Sequence, residues 1–408
     1  MNLTVKKSLI DGTVTALSSK SVLHRLLILA SFSKGETEII CNNYGKDIEH
    51  TVGCLITLGA DIKKTENGFE VRPISQPNTN VTLDVGESGS TLRFLLPIVS
   101  TLGITATFVG NKSLQKRPIY PIVNLMKNKG VRFTSESLPL TVSGKMEAGD
   151  YEIDGSISSQ FITGLLIAFC LMDKESTLKV KDLTSKEYVD ITLQYIKKFG
   201  QEVSGYKVNP TGLISPRQIV CEGDWSNAAF TLALGLLYGK VAVRGLNPDS
   251  TQGDKVFVDI IKKMGGDITF DGEYVAKKSR LKGACVSVKD CPDLAPILAV
   301  LMANAEGEST LLGVDRLRIK ESDRLSSIME FLDKAGIKNN YYNDALTIEG
   351  GEVKTAELDG KNDHRIAISS IVLLCGSGGV VNGVECMDKS QPDFLNDFEV
   401  IGGRYDIR

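Results

Sequence analysis

Arg318-Ile319-Lys320-Glu321-Ser322-Asp323-Arg324 sets two cations and a carboxylate, Lys320, Arg324 and Glu321, within five positions. An apolar stripe follows at Leu325, Ile328, Met329 and Leu332. That spacing predicts a helix opening here, with Lys320, Glu321 and Arg324 on one face of its first turn. A solvated i,i+4 charge lattice is the ordinary reading of such a cluster. Its position argues for more: helix N-termini carry partial positive charge and favour acids, so cations there cost stability that an arriving anion would offset.

Cations recur at other predicted helix starts, as Lys20, Arg25, Arg117, Arg365 and Lys389. Near helix starts stand Ser158, Ser159, Ser185 and Tyr188, neutral donors suited to phosphate or hydroxyl groups. Gly89 would let a ligand approach the backbone closely. Taken singly, many of these polar residues are ordinary N-caps. Taken together they describe a strongly positive site for multivalent anions, in which the few acids, Asp293 and Glu321, are candidates for proton transfer.

The elements that position these residues repeat. An apolar helical run, a turn and a strand recur with turns near Gly35, Gly103, Lys174, Gly239, Gly307 and Gly376, about 68 residues apart. A second helix follows in each case and ends at a glycine before a strand, over 47–58, 120–128, 189–199, 256–264, 322–335 and 394–400. Each unit therefore reads as β-α-β-α-β-β, and six units account for the chain. Six are too many for one core, so an α/β protein of two three-unit domains is expected, divided near Val220-Cys-Glu-Gly-Asp. The expected boundaries are 1–18 plus 222–408 for one domain and 19–221 for the other. Residues 1–18 would return to pair with C-terminal strands.

Composition excludes several classes. With 408 residues, 42% of them hydrophobic, the chain can fill sizeable cores. A net charge of −3 supplies no field for nucleic acid or an acidic membrane. No apolar run approaches the roughly 20 residues of a membrane span, and the N-terminus lacks a signal-peptide core, so a cytoplasmic protein is expected. The eight cysteines include no C-x-x-C pair and read as reduced core residues, and the three histidines have no metal-ligand spacing. His24 reads as a helix-surface residue, Trp225 as packing, and Arg93 as an ion-pair partner within its own helix. His364 reads as orienting its turn.

Several phrases together resemble the enolpyruvyl transferases: Lys20-Ser21-x-x-x-Arg25, Gly86-Glu-Ser-Gly-Ser-Thr-x-Arg93, Gln115-Lys-Arg-Pro118 and Ser158-Ser-Gln160. Ser185-x-x-Tyr188-x-Asp190, Pro292-Asp293, Arg318-x-Lys-Glu-x-Asp-Arg-Leu325 and Asn362-Asp-His-Arg365 continue the likeness in order to the end of the chain. The branch most similar is the one that acts on shikimate 3-phosphate. The resemblance implies a fold of two domains, each of three β-α-β-α-β-β repeats in an inside-out α/β barrel. Its active site lies in an interdomain cleft, open without ligand.

It also implies the activity, transfer of the carboxyvinyl group of phosphoenolpyruvate to the 5-hydroxyl of shikimate 3-phosphate, in the route to chorismate and the aromatic amino acids. By the family pattern Asp293, Glu321 and Lys20 are catalytic. Phosphoenolpyruvate would be held by Lys20, Gly89, Arg117, Gln160, Arg324, Arg365 and Lys389. Shikimate 3-phosphate would be held by Lys20, Ser21, Arg25, Ser158, Ser159, Gln160, Ser185, Tyr188, Asp293 and Lys320. No metal or organic cofactor, nucleic acid or membrane partner is implied, a monomer is expected, and Gly89 implies that glyphosate competes with phosphoenolpyruvate.

Two residues depart from the pattern: Glu87 stands where many relatives have asparagine, and Arg316 where some have an asparagine contacting the shikimate phosphate. The sister enzymes that use a UDP-sugar carry a reactive cysteine in the loop matching Gly110–Arg117, which has none here. An RNA-phosphate cyclase would need a histidine nucleophile with no counterpart in the chain. A non-catalytic anion-binding scaffold is the reading from another class, which turnover would separate.

Overall fold

The structure is a computed structural model and describes residues 1–407. Six four-stranded sheets repeat one plan. In the second repeat, Val81–Asp84 and Ala106–Val109 pair in parallel, with the helix Gly89–Thr101 as the crossover. A parallel pair requires such a crossover, and the helix supplies it. The helix Tyr120–Lys127 follows, then Arg132–Phe133 and Leu140–Ser143, which pair antiparallel and complete the sheet against Ala106–Val109.

Three sheets borrow strands from distant sequence. Gln218–Val220 pairs in parallel with Thr37–Ile40 and gives the first repeat its opening strand. Ile10–Thr15 does the same for the fourth, beside Gly239–Arg244. Asn2–Lys6 lies antiparallel between Gly379–Asn382 and Arg404–Ile407 in the sixth.

Two compact units result. The first comprises Met1–Leu17, Asn43–Gly45 and the chain from Glu222 onward; the second comprises Ser18–Asn42 and Lys46–Cys221. In the first unit the helices Trp225–Tyr238, Ala295–Ala303 and His364–Leu374 pack on one another inside the sheets. All nine residues of Ala295–Ala303 are buried, as an all-round apolar helix requires. In the second unit Gly89–Thr101 packs on Ser159–Phe169 so closely that a Cβ on Gly164 would sit 2.4 Å from the Arg93 carbonyl oxygen. Glycine there sets the helix spacing.

The outer helices stop where glycine allows left-handed backbone, as at Gly200 (φ +78°) after Lys186–Lys198 and Gly336 (φ +78°) after Arg324–Lys334. Tyr120–Lys127 and Phe394–Val400 start where expected, but other starts differ. The 189–199 helix begins three residues earlier, at Lys186, and the 256–264 run divides into a 3-10 turn, Gly253–Val256, and a helix, Phe257–Lys263. More consequentially, the helix expected over 322–335, with Lys320 and Glu321 on its first turn, opens at Arg324. Asp323 caps it by accepting the Ser326 amide at 3.1 Å, which stops the helix from extending backwards. Lys320 is therefore extended (φ −88°, ψ −155°) and reaches the site from a loop, not from a helical turn.

Seven of the cysteines are buried and Cys285 is exposed. Among the described residues no helix is long and apolar enough to cross a membrane.

Candidate active site

In the first unit, three cations converge on Asp293, which lies in the 3-10 turn Pro292–Leu294 ahead of the buried helix. Arg324 donates to its carboxylate from 2.8 Å, Arg365 from 3.1 Å, and the Lys320 ammonium stands 3.7 Å away. Arg365 also donates to the Asp293 carbonyl. Burial alone would raise the Asp293 carboxyl, but Arg365, then Lys320 and Arg324, hold it well below the usual carboxylate range.

Arg324 is 1% exposed and is ringed by acids. Its Nε donates to Asp363 at 2.8 Å, its Nη1 to Asp293, and its Nη2 to Glu321 at 2.7 Å. Asp363 is the N-cap of His364–Leu374, accepting the Arg365 amide at 3.0 Å, so one carboxylate both starts a helix and neutralises Arg324. The expected surplus of positive charge is thus corrected here. Arg324 does not wait for an external anion, because Asp293, Glu321 and Asp363 already offset it.

Lys320 keeps a lower proton affinity than an ordinary lysine. Burial pulls it down to about 8, Asp293 pulls upward, and Arg324 again pulls down. Lys389, at the end of the 3-10 turn Val384–Lys389, donates to the Asn362 carbonyl at 2.7 Å, beside Asp363. Arg316 donates to the Lys289 carbonyl at 3.0 Å.

Asp254 is a site residue that the sequence reading passed over. It opens the 3-10 turn Gly253–Val256, is 3% exposed, and accepts a hydrogen bond from the Ser226 hydroxyl. Burial, then the nearby Asp293 charge, pushes its carboxyl up to about 7 against the pull of Arg365. Its only sequence signal is an acid at a helix opening, which any N-cap also gives.

In the second unit, Arg25 is 2% exposed and donates to Thr192, Thr163, the Tyr188 carbonyl and the Ser21 carbonyl, with Phe94 beneath it at 5.1 Å. Among the described residues no carboxylate pairs with it. Burial disfavours its charge, yet a guanidinium keeps its proton, so this is a buried cation held by hydroxyl and carbonyl oxygens. Ser185 begins the same helix as Tyr188 in left-handed backbone (φ 53°), unusual for serine.

Lys20 stands 3.1 Å from Asp47. Ser158 caps Ser159–Phe169 by accepting the Gln160 amide, and Ser159 is buried just inside. The Arg117 guanidinium lies against Gly89, whose added Cβ would be 3.0 Å from Arg117 Nη1. Glu87 accepts from Ser113 at 2.9 Å, tying the helix start to the loop that carries Arg117.

Two expectations are overturned in this unit. His24 is buried, not on a helix surface: it is 1% exposed, its Nδ1 lies 2.7 Å from the Thr51 hydroxyl, and its ring stands edge-on to Phe94. Arg93 does not pair within its helix; it donates to Gln160 Oε1 at 2.6 Å and to the Pro118 carbonyl at 3.1 Å, in two other segments. Trp225 is packing, fully buried against Tyr274.

Both units therefore place cations and small donors at the starts of their helices, with carboxylates of opposed proton affinity in the first. Comparison with known proteins gives this arrangement its family. The family model described as EPSP synthase (3-phosphoshikimate 1-carboxyvinyltransferase) matches residues 5–398. A 3-phosphoshikimate 1-carboxyvinyltransferase of Clostridium kluyveri is 38% identical, the match covering 97% of this chain and 96% of that protein. One from Clostridium acetobutylicum is 37% identical over the same shares. Among solved structures, EPSP synthase from Acinetobacter baumannii superposes with a TM-score of 0.83 over 99% of each chain at 24% identity. The enolpyruvyl transferase NikO from Streptomyces tendae gives 0.81 at 15% identity, over 99% of this chain and 98% of that one. At those identities the two structures speak for the fold, and the sequence matches for the family: the chain belongs to the EPSP synthase, or 3-phosphoshikimate 1-carboxyvinyltransferase, family.

Proposed function

We propose that this protein transfers the carboxyvinyl group of phosphoenolpyruvate to the 5-hydroxyl of shikimate 3-phosphate, releasing phosphate. The observation that carries the reading is the match to relatives named for this activity along nearly the whole chain. The site supplies suitable chemistry. Each substrate bears a phosphate and a carboxylate, and the candidate residues offer guanidinium, ammonium and amide donors in comparable number.

Phosphoenolpyruvate is assigned to Lys20, Gly89, Arg117, Gln160, Arg324, Arg365 and Lys389. Shikimate 3-phosphate is assigned to Lys20, Ser21, Arg25, Ser158, Ser159, Gln160, Ser185, Tyr188, Asp293 and Lys320. The 5-hydroxyl oxygen bonds to C2 while C3 takes a proton; the resulting tetrahedral adduct then loses a C3 proton and its phosphate, restoring the double bond. Asp293 accepts the hydroxyl proton, Glu321 handles the proton at C3, and Lys20 assists transfer.

Asp293 is a weak base while Arg365, Lys320 and Arg324 face it. Substrate anions that share those cations would raise its proton affinity, so binding would switch the base on. The same reading makes the protein a cytoplasmic monomer that needs no metal or organic cofactor, and makes glyphosate a competitor of phosphoenolpyruvate. Inhibition independent of phosphoenolpyruvate concentration would reject that competition.

The test is phosphate release with each substrate alone and with both, in the presence of a chelator. Release that requires both, and that Asp293→Ala or Glu321→Ala abolishes, is the expected result. A folded protein that binds both and releases nothing overturns the reading.

A further inference from the structure

We infer that Arg93 is a positioning residue for this reaction: it turns Gln160 into a donor-only group and pins the loop that carries Arg117. The inference rests on the reading above and assigns a role to a side chain outside the proposed ligand set.

Arg93 lies in the middle of Gly89–Thr101 and is 4% exposed, with its guanidinium 5.3 Å from the centre of the Phe161 ring. It reaches Gln160 because Gly164, one turn further along Ser159–Phe169, lets that helix press against the Arg93 backbone. A side chain at 164 would hold the two helices apart.

The hydrogen bonds then fix the amide's orientation. Arg93 Nη1 donates to Gln160 Oε1 at 2.6 Å, which only an oxygen can accept. The Gln160 amide nitrogen donates one hydrogen to the Ser90 hydroxyl at 2.9 Å. Its second hydrogen is left for a ligand. An amide whose orientation were free could turn its oxygen toward a phosphate or carboxylate and repel it; one whose oxygen is held by a guanidinium presents only N–H.

The other arm of the guanidinium acts on the second anion ligand. Arg93 Nη2 donates to the Pro118 carbonyl at 3.1 Å, immediately after Arg117. That bond fixes the loop at the point from which the Arg117 guanidinium lies over Gly89. One buried cation thus orients two proposed phosphoenolpyruvate ligands without a place in the ligand set itself. Lysine cannot substitute, because one ammonium group lacks the planar fork that serves two acceptors in different segments.

The experiment compares wild type, Arg93→Lys and Gln160→Glu by steady-state kinetics in both substrates, with thermal unfolding as the control for folding. In Arg93→Lys the KM for phosphoenolpyruvate is expected to rise about tenfold or more, the loss of a charge-assisted hydrogen bond, with a smaller change for shikimate 3-phosphate. Gln160→Glu keeps an acceptor for Arg93 but turns a carboxylate toward the anion, so the same KM rises while the Tm holds. The Arg93→Lys effect shrinks in a Gln160→Ala background, because part of it acts through Gln160.

No release by wild type overturns the parent reading and this inference with it. Wild-type turnover with an unchanged phosphoenolpyruvate KM in Arg93→Lys overturns the inference alone. An equal rise in both KM values, or a kcat loss that tracks a lowered Tm, reduces Arg93 to a structural residue. If Arg93→Lys does not fold, unimpaired phosphoenolpyruvate binding by Gln160→Glu still overturns the inference.

Discussion

Arg324 and Asp363 form an ion pair at 2.8 Å with their side chains 1% and 0% exposed, and the Asp363 carboxylate simultaneously caps the helix that begins at His364. Two buried charges gain little over apolar residues of the same size, but removing one strands the other. Asp363→Ala is therefore expected to destabilise the protein by about 3–5 kcal/mol. Asp363→Asn, which keeps the cap, should cost less. Urea unfolding of both variants checks this, and a loss under about 1 kcal/mol for the alanine variant would show that Asp293 and Glu321 suffice for Arg324.

That pair also marks where the sequence stopped being legible. The cations Lys320, Arg324 and Arg365 could be read as a cluster because unusual charges at helix starts attract notice. Of their carboxylate partners, Asp293 and Glu321 stand out among the cations, but Asp363 does not: it is 39 positions from Arg324, and as a cap it looks like any other. The charge balance at the site depends on that third carboxylate. The repeat was plainer, since a terminal glycine followed by β-branched residues marks each outer helix in local sequence, and Gly200 and Gly336 do adopt left-handed backbone. N-terminal bounds are less legible because caps compete: Asp323 starts its helix at Arg324 and leaves Lys320 and Glu321 outside the first turn. Arg93 was misjudged because its two acceptors lie 67 and 25 residues away, in contacts that only helix packing creates.

Gly89 and Arg117 give a prediction about size. A methyl group at 89 would stand 3.0 Å from Arg117 Nη1 and 3.1 Å from its Cζ, closer than nearly all such contacts. Backbone strain is not at issue, since Gly89 already has helical geometry. Gly89→Ala should displace the guanidinium and raise the KM for phosphoenolpyruvate about tenfold, the scale of one weakened charge-assisted contact, while leaving kcat within a few-fold. An unchanged KM would mean that Arg117 moves aside without losing its ligand.

Lys320 sets an alkaline limit. Burial, only partly opposed by Asp293, leaves its ammonium titrating at about 8 in the free protein. If it holds an anionic group of shikimate 3-phosphate, only the protonated form does so. The KM for that substrate should be flat below pH 7 and should rise about tenfold per unit well above pH 8. Lys320→Arg, charged throughout, should remove the limb, and a limb that survives this substitution belongs to another group.

Asp254 makes the opposite kind of pH prediction, in stability. Its folded-state carboxyl titrates at about 7 and its unfolded one near 4, so the folded protein holds this proton more tightly. A raised carboxyl contributes stability that is complete below pH 4 and is lost as the pH climbs to 7. Asp293, shifted the other way, changes stability only below pH 4 and so leaves that window clear. Asp254→Asn keeps an oxygen for the Ser226 hydroxyl and cannot ionise, so it escapes the loss. Relative to wild type, the variant should gain stability steadily between pH 5 and 7, by on the order of 2–3 kcal/mol from the shift, with coupling to Asp293 trimming the total. Paired urea titrations across that range measure the difference directly. A difference that stays flat would mean Asp254 is already ionised at pH 5, with Arg365 outweighing both its burial and the neighbouring carboxylate.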